Sequence, residues 1–385
     1  MKKQSLIFII GIFILASIVL SGRQIEKYWK DCYQAGKLIL NEKLRIDSSS
    51  LPEDDVLRDI SRFTETKKGF VFISDAWLHK IFIFDASGKF VKSVGRKGNG
   101  PGDLYLPGEL GCINHDVFVW ESGNQRFSLF SESGEFLNFF KIKNRLFINK
   151  VRVPPNNNII MGTVNYRFGT DKDQESIIGL YSGDFEFVKV LFSHSFCQFK
   201  HILKPEEATL PIPFAPLVSW DLAPNGNVIV GFQRKYEIEI HDPARGKISS
   251  FSNRYTPIEV TNEDKEEFFA AIISGDANSI SRGADEFTRK HTTFPQFKPA
   301  FKDIVVDSDN NILVFPYPDS KNKKKIYFDA FDAGGHFINR VELILETSPV
   351  IDFSKTRFNK DYLWATVTDE EDERSLVKFI KGSGN

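Results

Sequence analysis

Arg152 and Lys302 are cations set among short apolar runs, and two such groups brought together can hold an anionic group. Trp220, followed by Asp221, offers a ring for stacking on another ring or a sugar. Arg62, Glu109 and Asp303 share the same kind of setting. Together these seven residues are the candidates for lining a ligand site, the alternative being that they pair with one another to solvate a channel. A second set, Arg96 and Lys97, lies in the glycine-rich stretch GRKGNGPGDLYLPGE. Exposed N–H groups and cations in such a loop can cradle an anion. The stretch lacks the G-K-[ST] ending of a P-loop and opens no helix, so a wide connector that needs glycine for its shape is the competing reading.

Nucleophilic and metal chemistry find less support. No Ser-His-Asp or Cys-His set stands out, and Ser219 has no evident base. The seven histidines form no HxxxH or HxH pair, with His194 and His201 seven apart. Asp307 and Asp309 in DSDNN have the opening spacing of a calcium loop but lack its glycine and terminal glutamate, so a turn between strands accounts for them. Cys32, Cys112 and Cys197 make no disulfide framework or zinc motif, although one bridge would be open to them in an oxidising compartment. No catalytic residue is assigned, and no metal or cofactor is expected.

The elements that must position these side chains repeat along the chain. FVFISDAWLHKIFIFDASGKFV from Phe70 and DVFVWESGNQRFSLFSESGEFL from Asp116 align at an offset of 46 residues, bringing Asp75 over Glu121, Phe84 over Phe130 and Gly88 over Gly134. That period, among short apolar alternations, points to an all-β propeller. The same mark recurs near Tyr181, His241, Phe331 and Phe379, which fits six blades across residues 40–385. A four-stranded blade cannot bury both faces alone, and radial stacking solves this. Inner strands are expected near Leu57–Phe63, Leu110–Asn114, Lys150–Val153, Val218–Leu222, Phe301–Val306 and Val350–Phe353. The last unit is short of one strand, and the isolated alternation Leu40 to Ile46 is expected to close it. Residues 261–297 interrupt the pattern as a helical insertion. Thr261 suits an N-cap, and Phe268, Phe269, Ile272 and Ile273 lie on one helical face. The insertion either packs on the rim or covers one mouth.

Charge and the N-terminus bound the partners. Fifty basic and 51 acidic residues leave a formal net charge of −1, which argues against nucleic acid as a partner. Lys2 and Lys3 precede an uncharged apolar run over residues 5–21, a signal peptide or a membrane anchor ending at about residue 23. Cleavage near Ser21 or retention as an anchor both place the rest outside the cytoplasm, with membrane contact through residues 5–21 alone. Arg23 stands where a lipoprotein would need cysteine, so lipidation there is excluded. Residues 24–39 read as a juxtamembrane spacer.

The unit ESGNQR followed by an apolar strand and a glycine turn resembles the NHL repeat. The connector VGRKGNGPGDLYLPGEL is similar to the linker of bacterial NHL-repeat-like six-bladed β-propellers, which are exported and largely uncharacterised. Blade one departs from the pattern with Leu78 where blade two has Asn124. The resemblance implies a central channel and no single activity. The expected function is an extracytoplasmic binding propeller, monomeric, engaging a ligand or partner protein at one mouth. The alternative is a metal-dependent hydrolase or lyase, lactonase-like or amidating-lyase-like, with calcium or zinc in the channel.

Overall fold

The computed structural model describes residues 28–53, 55–142, 146–165, 174–202, 208–273, 284–318, 325–345, 350–369 and 371–382; the apolar run over residues 5–21 lies outside them. Among the described residues no helix is long and apolar enough to cross a membrane.

Strand Val71–Asp75 shows how the sequence builds the architecture. Val71, Phe72 and Ile73 are all buried, because successive side chains point to opposite faces and both faces are covered. Phe72 packs with Ile81, Val117, Val119 and Phe130, towards the next sheet along the chain. Val71 and Ile73 pack with Phe82, Phe84, Trp364 and Ile46, towards the chain's two ends. Phe118 and Trp120 repeat the pattern one sheet further on, meeting Val151, Ile159 and Met161. Each such buried side chain contributes about 1.5–3 kcal/mol. The turns follow suit: Gly88 and Gly134 hold φ of +80° and +75°, where a Cβ would be strained.

Four sheets of four antiparallel strands run consecutively through residues 62–94, 107–141, 147–196 and 218–252. A two-stranded hairpin, Phe199–Ile202 with Ala208–Pro211, separates the third from the fourth. The remaining eight strands differ from the expectation of independent four-stranded units by forming one continuous sheet. Its leading half runs from Asp303 to Leu345, and its closing half comprises Val350–Phe358, Tyr362–Thr368, Arg374–Lys381 and the N-terminal strand Lys37–Ile46. The N-terminal strand causes the continuity. It pairs antiparallel with the C-terminal strand, Leu40 opposite Lys381 and Ile46 opposite Leu376. Its first residues also pair parallel with the leading half, Lys37 to Leu40 against Glu342 to Leu345. Helix α1 (Trp29–Gln34) braces this seam: Trp29 Nε1 donates to the Asn359 carbonyl at 2.9 Å, and Tyr33 Oη donates to Asp307 at 3.0 Å.

The insertion before Asp303 holds helices α2 (Asn262–Ile273) and α3 (Ala284–His291). Thr261 caps α2 as expected, its Oγ1 accepting from the Asp264 N–H at 3.2 Å. Phe269 and Ile272 are buried. Lys298 and Asp264 make an ion pair at 2.7 Å with side chains only 3% and 6% exposed. Truncating one partner leaves a buried charge uncompensated. Lys298→Met is expected to cost about 3 kcal/mol, seen as loss of hydrogen-exchange protection across residues 258–273; unchanged protection there would refute the role of the pair.

Candidate functional site

The first strand of each four-stranded sheet, and of each half of the eight-stranded sheet, lies innermost, and contacts tie each of these units to the next. Arg62 ion-pairs with Glu109, whose other oxygen accepts from the Val151 N–H at 3.0 Å. Arg152 Nε donates to Asp221 at 2.7 Å, and Asp221 in turn accepts from the Val306 N–H at 3.1 Å. Ser219 Oγ donates to Asp303 at 2.5 Å. The rings of Phe315 and Phe353 stack at 3.8 Å. Lys355 Nζ, on the closing half, donates to the Ile60 carbonyl at 2.9 Å and ties this half back to the first sheet.

The observed inner strands are Arg62–Glu65, Pro107–Ile113, Phe147–Arg152, Val218–Leu222, Asp303–Val306 and Val350–Phe358. A cavity of about 600 Å³ opens where they end. Its floor holds Arg152, Asp221 and Arg357, and its apolar walls include Pro154, Pro155, Leu222 and Phe358. Burial pushes the Asp221 carboxyl up, but Arg152 and Lys150 outweigh it and hold the group ionised, below the usual range. Asp307, at the rim, is raised to about 6 by burial, although Asn311, Tyr33 and the Asp309 N–H all donate to it. This carboxylate organises the Asp-Asn turn, in keeping with the turn reading of DSDNN.

The sequence candidates divide between places. Arg152 and Asp221 reach the cavity, and Arg62 and Glu109 pair deeper in the channel. Lys302 and Asp303 stand at the opposite end, where the inner strand Asp303–Val306 begins, and Lys302 is exposed there. Arg152 and Lys302 therefore do not share a site, because a strand's length separates the two ends. Trp220 is 2% exposed and packed among Ile160, Val228 and Val230, which leaves no face free for stacking. Arg96 and Lys97 lie on a connector entering the second sheet, also at the end where inner strands begin. Arg96 pairs with Asp103 at 2.8 Å, and the Lys97 ammonium sits 5.4 Å from the Tyr105 ring centre. The connector is built around a cation: Arg126 donates to the carbonyls of Asn99, Gly100 and Asp103 at 2.8–3.1 Å and to Glu121 at 2.7 Å. Its inward groups are thus carbonyl acceptors, the wrong polarity for an anion cradle.

Three cations on the channel wall were missed: Lys150, Lys355 and Arg357. In Lys150-Val151-Arg152 the spacing of two puts both charges on one face of an inner strand, a signal open to reading in the sequence. Lys355 and Arg357 lie in an irregular stretch of the last inner strand, where such spacing does not fix the face. Among the described residues no three His, Cys, Asp or Glu side chains group as metal ligands. His194 lies on strand Phe187–Phe196, not on a helix, and its ring lies 4.0 Å from that of Phe232. Among the described residues no cysteine forms a disulfide.

The architecture is that of a β-propeller. The family model for DUF5128, a 6-bladed beta-propeller, matches residues 51–107. A member of the DUF4221 family from Bacteroides vulgatus superposes with a TM-score of 0.50 at 12% identity, covering 91% of this chain and 99% of that one. An exported protein from Bacteroides fragilis gives 0.49 at 12%, covering 90% and 99%. Virginiamycin B lyase from Staphylococcus aureus gives 0.41 at 11%, covering 84% and 96%. No curated protein matches the chain in sequence.

Proposed function

We propose that this chain is a six-bladed propeller of the NHL type, with the eight-stranded sheet counting as two blades, and that it acts outside the cytoplasm as a binding module. The ligand enters the mouth where the inner strands end. The observation that carries this reading is the cavity of about 600 Å³ there, a volume suited to a small molecule, with a charged floor and apolar walls. The helical insertion approaches the other end of the channel, since it precedes the start of strand Asp303–Val306. It therefore frames the opposite face and leaves this mouth open.

Pro155 and Pro224 are exposed on the rim. In a thermal-shift screen of small metabolites, compounds that stabilise the parent protein should lose their effect when Pro155→Trp and Pro224→Trp together narrow the mouth. Hits that survive this block would place binding elsewhere.

A further inference from the structure

Among the described residues the cations Arg62, Lys150, Arg152, Lys355 and Arg357 share the channel wall with the carboxylates Glu109, Asp221, Asp303 and Asp352, and Asp59 acts on Arg62 and Lys355 from beside it. Arg62 and Arg152 are paired with Glu109 and Asp221, and Lys355 lies 3.6 Å from Asp352. Asp303 accepts from Ser219, and Lys150 Nζ donates to the Trp220 carbonyl at 2.6 Å. Arg357 is different. It lines the cavity, yet no carboxylate of the described residues lies within ion-pairing distance. Only its Nη1 has an acceptor, the adjacent Thr356 carbonyl at 3.0 Å. Nε and Nη2 have no protein acceptor among the described residues.

Backbone geometry puts it there. Between Asp352 and Arg357 the closing half's inner strand advances five residues while its partner advances two, from Thr366 to Trp364. The extra residues form a bulge held by Asp352, whose carboxylate takes the Ser354 N–H at 3.1 Å and Ser354 Oγ at 2.6 Å, while Thr356 Oγ1 donates to the Asp352 carbonyl. Among the described residues the other inner strands carry at most a single-residue irregularity. A bulge of this kind re-aims side chains. Here it directs an arginine without a counter-charge to the floor of the cavity.

We infer that Arg357 is the anchor for an oxyanion, a carboxylate, phosphate or sulfate group carried by a larger ligand whose apolar part rests on Pro154, Pro155, Leu222 and Phe358. A planar guanidinium with a free fork of donors matches such a group in two-point contact. Paired Arg152 beside it adds positive potential. Consistent with an unmet charge, burial and then the neighbouring Arg152 push the Arg357 guanidinium down to about 9. This inference rests on the mouth being the ligand site.

The test uses the folded protein in chloride buffer, with inorganic phosphate, sulfate and benzoate as probes, read by thermal shift and by titration calorimetry. At least one probe should stabilise the parent, and Arg357→Met should weaken its binding at least tenfold. Arg96→Met, which removes a surface arginine at the other end, should leave binding unchanged. If none of the probes binds the parent at 20 mM, or if Arg357→Met binds them as the parent does, the oxyanion anchor is wrong. The two readings fail separately. A mouth ligand from the screen that ignores Arg357→Met sinks the anchor and leaves the mouth standing. Screen hits that survive the rim tryptophans, beside small oxyanions whose binding still needs Arg357, sink the mouth as the entry of a larger ligand and leave Arg357 as an oxyanion site.

Discussion

Replacing Arg126 with alanine should lower the stability of the folded chain by about 5 kcal/mol, at the upper end of what breaking a buried ion pair costs. Arg126 is 1% exposed and Glu121 is fully buried. The substitution strands the Glu121 carboxylate, which keeps Ser128, Asn124 and the Tyr105 N–H as donors but loses its cation, the only one paired with it among the described residues. It also removes the donor from three connector carbonyls at once. Two measurements follow. The melting temperature should fall by roughly 10 °C, scaled from the usual drop per kcal/mol for large domains, and the connector between Arg96 and Asp103 should become sensitive to proteases. The double variant Glu121→Gln with Arg126→Met should recover much of the loss, because no charge is then left buried. A double variant as unstable as the single one would show that the connector carbonyls, not the ion pair, dominate.

Removal of the N-terminal strand should have a larger effect. A chain beginning at Ser48 loses Trp29, Tyr33, Leu38, Leu40 and Ile46, all buried in the seam. At about 1.5–3 kcal/mol each this is roughly 7–15 kcal/mol, as much as the whole stability of an ordinary domain at about 5–15 kcal/mol. The shortened chain is expected to show no cooperative melting by circular dichroism and to bind a hydrophobic dye. A sharp transition near that of the parent would mean that the ring closes without the strand.

Much of this fold could be read before any coordinates. Repeats announce themselves through turns, and the glycines at 88 and 134 mark the same left-handed position in successive sheets. The closing strand was legible because Leu40 to Ile46 is an alternation with no neighbour in sequence to pair with. Its parallel pairing with Glu342 to Leu345 was not, since nothing in a strand's composition states which edge it meets second. The channel candidates show the same division. Their residue types and inner-strand placement came from pattern, so Arg62, Glu109, Arg152 and Asp221 fall on the channel wall. Which end each one faces depends on where its strand starts, and Lys302 falls just outside the observed strand Asp303–Val306, whereas Trp220 lies on its expected strand, Val218–Leu222, but with its ring on the buried face. Arg357 lay beyond an assumed strand end because the bulge breaks the alternation by which strands are recognised. The ESGNQR motif was seen as a repeat mark. That its arginine forms the hub of a glycine loop depends on carbonyl directions, which sequence does not encode locally.

The double pairing of Lys37–Ile46 has a mechanical consequence. Its two ladders follow one another, parallel over residues 37–40 and antiparallel over residues 40–46, so tension applied at the N-terminus loads first one row of backbone bonds and then the other lengthwise. A tether attached ahead of Trp29 would pull first on α1, whose Trp29 and Tyr33 hold Asn359 and Asp307 at the cavity rim, so the mouth would share the strain.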